Sequence, residues 1–212
     1  MSSPSPGGRA TPIAILISGR GSNFLALHAA ITRGGLPARI AVVVSNVETA
    51  PGLARARDLG LNVAVLRHSD APTREAHDRR MLDALAAAGV EWVCLAGYMR
   101  LLSPHFLATF RHRVLNIHPS LLPAFPGLHA QRQALEAGVK VSGCTVHFVD
   151  EGLDSGPIVL QRTVPVLDDD DEDRLSARIL AEEHRAYPEA LRRLLTESWR
   201  FDGRRLRFRD ER

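Results

Sequence analysis

Short apolar runs alternate with helical segments along the first 120 residues, and this rhythm constrains the fold more than any other feature. Residues 13–17, 40–44, 63–66, 92–96 and 114–117 are runs of four or five residues dominated by Ile, Val, Leu and Ala. Runs that short and that apolar suit strands buried on both faces, as in a parallel sheet. Helical segments separate them. One spans about 22–33 and stops at Gly34-Gly35, and one opens at Pro51 and stops at Gly60. A third runs over 73–88, with Thr73 as N-cap and Gly89 as stop, and Ser103-Pro104 caps a short fourth to Phe110. Close βα spacing of this kind predicts an α/β fold: a Rossmann-like, mostly parallel sheet with helices on both faces.

The pattern changes after residue 140. Two strands, 141–149 and 158–166, flank a Gly-containing turn and read as an antiparallel C-terminal extension. A helix over about 172–197 follows, and Asp202-Gly203 is a hairpin signal between Trp199 and Phe208. The expected organisation is one domain over 12–199, a disordered tail over 1–11 and a basic hairpin or tail over 200–212.

Residue usage narrows the chemistry. Lys140 is the only lysine among 27 Lys and Arg, and no glycine-rich run precedes it. A Walker-type phosphate loop and a Schiff-base enzyme both need a placed lysine, so neither fits. Cys94 and Cys144 lie fifty positions apart in apolar runs, which argues against a cysteine zinc cluster or a disulfide scaffold and for reduced thiols in a cytoplasmic protein. The histidines show no ligand spacing with a nearby carboxylate, so no metal is expected. The net charge of +3 resides in the last thirteen residues, leaving a neutral body, which is a poor match to a nucleic-acid binder. No apolar stretch is long enough for a signal peptide or a membrane span.

Three segments carry chemical signals. Ser18-Gly19-Arg20-Gly21-Ser22-Asn23 joins a strand to a helix. Its glycines let backbone approach a ligand and the helix N-terminus favours an anion. Phe24 stands where a dinucleotide fingerprint has its third glycine, so a single phosphate fits better than a pyrophosphate, the alternative being a plain tight turn. Asn116 and His118 stand two apart at a strand end, on one face, where open α/β sheets bind ligands. An amide and an imidazole there can stabilise an oxyanion and move a proton; the structural alternative is a histidine that caps the strand. Asp154, in the turn Asp150-Glu151-Gly152-Leu153-Asp154-Ser155-Gly156, is either a turn former or the carboxylate that favours an imidazolium at His118. His147 reads as a satisfied structural residue in mid-strand. The six acids over 168–173 read as a solvated loop and helix N-terminus.

Taken together, the 18–23 loop, Leu95-Ala-Gly-Tyr-Met-Arg-Leu-Leu102, Asn116-Ile-His-Pro-Ser-Leu-Leu-Pro123 and Asp154 resemble the folate-dependent formyl transferases, and within them the phosphoribosylglycinamide formyltransferase family. The resemblance runs over about 13–188. It implies transfer of a formyl group from 10-formyltetrahydrofolate to the amine of 5-phosphoribosylglycinamide in purine synthesis, without a metal. It implies Asn116, His118 and Asp154 as catalytic residues. For the ribonucleotide it implies Gly21, Ser22, Asn23, Leu180, Ala181, Glu182 and Glu183. For the folate it implies Arg74, Met99, Arg100, Leu101, Leu102 and Asn116, with Asp150, Glu151, Gly152, Leu153 and Asp154. One departure is Ala124-Phe125 before Pro126-Gly127, where a basic–aromatic pair is commoner.

The expected partners are these small molecules, with neither nucleic acid nor membrane, and the sequence does not choose between monomer and homodimer. Two other readings compete. A formyltetrahydrofolate hydrolase usually carries an added N-terminal domain and a methionyl-tRNA formyltransferase an added C-terminal one, and neither is expected here. A folate- or nucleotide-binding module that has lost catalysis would be expected to lack the Asn116, His118 and Asp154 set.

Overall fold

The computed structural model describes residues 10–209. The described residues divide into two compact units, 10–116 and 117–209, within a mostly parallel α/β fold.

The first unit holds strands β1 (Thr11–Ile17), β2 (Ala38–Ser45), β3 (Val63–Val65) and β4 (Trp92–Leu95), and most of β5 (Val114–His118). Their order is β3-β2-β1-β4-β5, all parallel. The runs are apolar because both faces are covered: Ile13, Ile15, Leu16 and Ile17 of β1 have no exposed surface. Helices α1 (Ser22–Thr32), α2 (Pro51–Asp58), α3 (Arg74–Ala87) and α4 (Pro104–Thr109) connect them. The expected caps form, with the Thr73 hydroxyl accepting from Ala76 N at 3.1 Å and Ser103 Oγ from Phe106 N at 3.3 Å. Thr11 already lies in β1, so the first strand begins inside the segment read as a tail. Residues 1–9 and 210–212 of the two expected tails lie outside the described residues.

The second unit pairs β6 (Val141–Phe148) with β7 (Ile158–Pro165) antiparallel, as expected, in register from Val141 opposite Pro165 to Val146 opposite Leu160, with a one-residue shift before His147 opposite Ile158. Helix α5 (Ala130–Glu136) was not foreseen. Its N-cap is His129 in a left-handed conformation with no side-chain cap bond, so the usual Ser, Thr, Asn or Asp start signal is missing. Helix α6 (Glu172–Thr196) lies on β6 and β7 and buries Leu175, Ile179, Ala186, Tyr187, Ala190, Leu191 and Leu194 along one stripe. It continues through Pro188, which denies a hydrogen bond to the carbonyl of His184. Strands β8 (Trp199–Asp202) and β9 (Arg205–Phe208) make the predicted hairpin.

The acid run 168–173 is not simply solvated. The Asp170 side chain is 1% exposed against Arg178, whose guanidinium donates to both carboxylate oxygens at 2.6 and 2.8 Å. That hydrogen bonding holds the Asp170 carboxyl down at about 2. Asp171 caps α6, accepting from Arg174 N at 2.8 Å. Among the described residues, no helix is long and apolar enough to cross a membrane.

Candidate active site

Ser18 organises the carboxyl edge of the first unit's sheet. Its hydroxyl donates to Asn46 Oδ1 at 2.6 Å after β2 and accepts from Met99 N at 2.9 Å after β4. Gly21 caps α1 with φ +72°, a left-handed conformation costly for any residue with a Cβ. A Cβ there would sit 3.2 Å from Gly52 Cα. Gly52 N in turn donates to Gly19 O at 3.1 Å, so the first turn of α2 props the loop from beneath. Ser22 and Asn23 open α1, and Asn23 is buried.

Of the residues expected to meet folate in this unit, Arg74, Met99 and Leu101 are exposed and the others are not. Arg74 heads α3. Met99 and Leu101 are 67% and 59% exposed, Arg100 is half-buried, and Leu102 is buried beneath them. Exposed large apolar side chains on one loop are surface that an aromatic ligand would cover. Asp78, buried in α3, fixes the end of that loop by accepting from Ser103 N at 2.5 Å. Asn116 lies beside Leu95 of β4, two residues before His118 on β5, so the two side chains share a face of the strand.

In the second unit, His118 and Asp154 come together. The imidazole is buried, its Nε2–H donates to the Phe125 carbonyl at 2.9 Å, and its Nδ1 lies 3.4 Å from Asp154 Oδ2. A carbonyl only accepts, so Nε2 carries the proton. Asp154 Oδ2 also accepts from Gly127 N at 2.8 Å. The segment after His118 is held by Thr145, whose hydroxyl donates to Ser120 O at 2.6 Å and accepts from Leu122 N at 3.0 Å. Because His118 meets residue 125 through its backbone, the Ala124-Phe125 departure leaves this contact open to any residue.

His147, expected from the sequence to be structural, does bond locally, with Nδ1 donating to Phe148 O at 2.9 Å. Its Nε2 also lies 3.7 Å from Asp154 Oδ1, so one carboxylate faces two imidazoles. Burial pushes the His147 ring below its ordinary value. Only its place in a strand that leads into the Asp154 turn hinted at this, since the contact spans seven residues and depends on the turn doubling back.

Asp154 itself has φ +48°, unusual for a residue other than glycine. Asp150 knots the turn, its Oδ1 accepting from Ser155 Oγ at 2.7 Å and Gly152 N at 3.2 Å. Glu151, Gly152 and Leu153 are exposed at its tip. On α6, Leu180 is half-buried, Ala181 exposed and Glu183 buried. Glu182 accepts from Arg162 at 3.3 Å and from Arg185 at 2.9 Å, so it is engaged within the protein. Among the described residues no group of three or more His, Cys, Asp and Glu is placed to hold a metal ion.

A parallel α/β sheet with polar groups at its carboxyl edge, and an imidazole backed by a carboxylate, define a protein equipped for acid–base and oxyanion chemistry on a bound small molecule. The comparisons with known proteins are more specific. The family model for formyl transferase matches residues 11–191, and the chain belongs to that family. The phosphoribosylglycinamide formyltransferase of Escherichia coli K12 is 45% identical over 192 residues, covering 91% of this chain and 88% of that protein. The trifunctional purine biosynthetic protein adenosine-3 of Drosophila melanogaster is 51% identical over 185 residues, 86% of this chain but 14% of that protein. The chain thus spans about one-seventh of that relative's length. The crystal structure of glycinamide ribonucleotide transformylase 1 from Symbiobacterium toebii superposes with a TM-score of 0.94 at 52% identity, over 96% of each chain.

Proposed function

We propose that this chain transfers the formyl group of 10-formyltetrahydrofolate to the amine of 5-phosphoribosylglycinamide, a step of purine synthesis. The observation that carries the reading is the pairing of buried His118 with half-buried Asp154, Nδ1 3.4 Å from Oδ2, with His118 on the strand that also presents Asn116. The likeness to the Escherichia coli and Symbiobacterium toebii proteins supports the choice of substrates.

The amine nitrogen attacks the formyl carbon, a carbon–nitrogen bond forms, and the carbonyl electron pair moves onto oxygen. The Asn116 amide donates a hydrogen bond to that oxygen. His118 Nε2–H, which rests on Phe125 O, is the second donor once the substrate oxygen takes over that bond. Asp154 holds the opposite edge of the ring and offsets positive charge there. Collapse of the intermediate breaks the bond to the folate nitrogen. The amine gives up one proton and the folate nitrogen gains one, with His118 or a bound water as carrier.

The ribonucleotide phosphate sits on Gly21, Ser22 and Asn23 at the α1 N-terminus. In the first unit the folate lies against Met99, Leu101 and Leu102, with Arg74 and Arg100 as its polar contacts. Residues 12–199 work as one domain, as the family match across both units supports. The cysteines, free and buried, fit a reducing cytoplasm.

The test follows folate absorbance with and without the ribonucleotide. Turnover only with the amine is expected. Turnover without it would make the chain a hydrolase, and none in either case would make it a binding module.

A further inference from the structure

The C-terminal hairpin, 199–208, lies beyond the segment that the family model matches. It touches both ends of the chain segment that presents Asp154. Upstream, Phe148 is buried against Trp199 and Phe201, with ring centroids 5.7 and 5.3 Å away. Phe148 directly follows His147 and accepts its Nδ1–H. Downstream, the Arg204 guanidinium donates to the carbonyl of Ser155, the residue after Asp154. The hairpin is itself anchored to α6. Trp199 Nε1 donates to Leu194 O at 3.0 Å, and the Arg193 guanidinium lies 3.8 Å from the Phe208 ring centroid.

A cavity of about 620 Å³ is bounded by Leu153, Asp154 and Ser155 on one side and by Arg204, Arg205 and Leu206 on the other. Asp150 ties the turn from within through Ser155 Oγ and Gly152 N, and from the hairpin the Arg204 guanidinium reaches the Ser155 carbonyl. Asp154 needs holding, because its left-handed backbone is disfavoured and its carboxylate must face His118 and His147 together.

We propose that the hairpin belongs to the working site and that Arg204 is a positioning residue for Asp154. The inference rests on Asp154 being catalytic. Arg204 touches no reacting atom; it fixes the carbonyl after Asp154, and so the angle at which the carboxylate meets the two imidazoles.

The test compares wild type, Arg204→Ala and Arg204→Lys as full chains. Arg204→Ala is expected to lower kcat about tenfold, with both KM values within about twofold and Tm lowered by no more than about 3 °C. Arg204→Lys, which can still donate to the Ser155 carbonyl, is expected to restore most of the loss. A normal kcat in Arg204→Ala, or a loss that Lys does not recover, overturns the proposal. Imidazole ¹⁵N resonances provide a readout independent of turnover. Those of His118 and His147 are expected to move together in Arg204→Ala, and unmoved resonances overturn the proposal even if wild type transfers no formyl group. That last outcome in wild type would overturn the functional reading instead.

Discussion

His118 and Asp154 meet edge to edge, Nδ1 to Oδ2 at 3.4 Å, while the other ring nitrogen donates to the Phe125 carbonyl. Both edges of the imidazole are therefore occupied before substrate arrives. The ring is oriented in advance, and its Nε2–H rests on the Phe125 carbonyl. Orientation set beforehand is what makes a hydrogen-bond donor effective at a developing charge.

If Asn116 and His118 are the oxyanion donors, Asn116→Ala and His118→Ala should each cost about 2 kcal/mol or more in transition-state stabilisation. Steady-state kinetics should show the loss in kcat, with KM changing less. Near-normal turnover in His118→Ala would remove it from the mechanism.

The glycine loop makes a separate prediction. Gly21→Ala forces a Cβ into a left-handed position 3.2 Å from Gly52 Cα and tilts the first N–H groups of α1. Calorimetry should show ribonucleotide binding weakened about tenfold or more and folate binding little changed. Equal weakening of both ligands would mean a general fold defect.

Burial lowers the His147 pKa beneath 6.5, and the same cause acts on His112 and His184. As pH falls through about 6.5 the unfolded chain takes up protons that the folded chain resists, so stability must fall with pH in that window. Wild type should therefore melt lower at about pH 5.5 than at about pH 7.5. His147→Gln, which cannot titrate, should lose less between those two values. An equal slope in both proteins would show that His147 does not contribute.

Asp170 acts at more acid pH. Arg178 holds its carboxyl at about 2 against an ordinary 3.8. Its stabilising contribution is complete above 3.8 and is lost as pH falls toward 2. Arg178→Ala should move the acid-unfolding midpoint, followed by circular dichroism, to higher pH. An unchanged midpoint would show that the pair contributes nothing.

How much of this was legible depends on how far apart in the chain the cooperating residues lie. The strands from β1 to β5 announce themselves as short Ile- and Val-rich runs because both faces are buried, and Thr73 and Ser103 mark helix starts by bonds that span three residues. The glycine loop and the Asn116–His118 spacing are equally local. Helix α5 has no such mark, since a left-handed histidine starts it. The His147–Asp154 approach, the Asp170–Arg178 pair and the reach of Arg204 to Ser155 are tertiary, joining residues 7, 8 and 49 apart. Those side chains look ordinary until the turn, the helix and the hairpin are in place. Asp154 is the intermediate case: its Gly-containing turn is visible in sequence and His118 is the partner expected for it, but its approach to His147 and its bond from Gly127 N are not.

The most direct test of the account is Asp154→Asn, which keeps size and removes charge. Formyl transfer rate and thermal melting should be measured together on wild type and variant. The account predicts a fall in kcat of about a hundredfold or more, with Tm within a few degrees of wild type and both substrates still bound. A kcat close to wild type with a clearly lowered Tm would contradict it, leaving Asp154 a turn residue and His118 without its carboxylate.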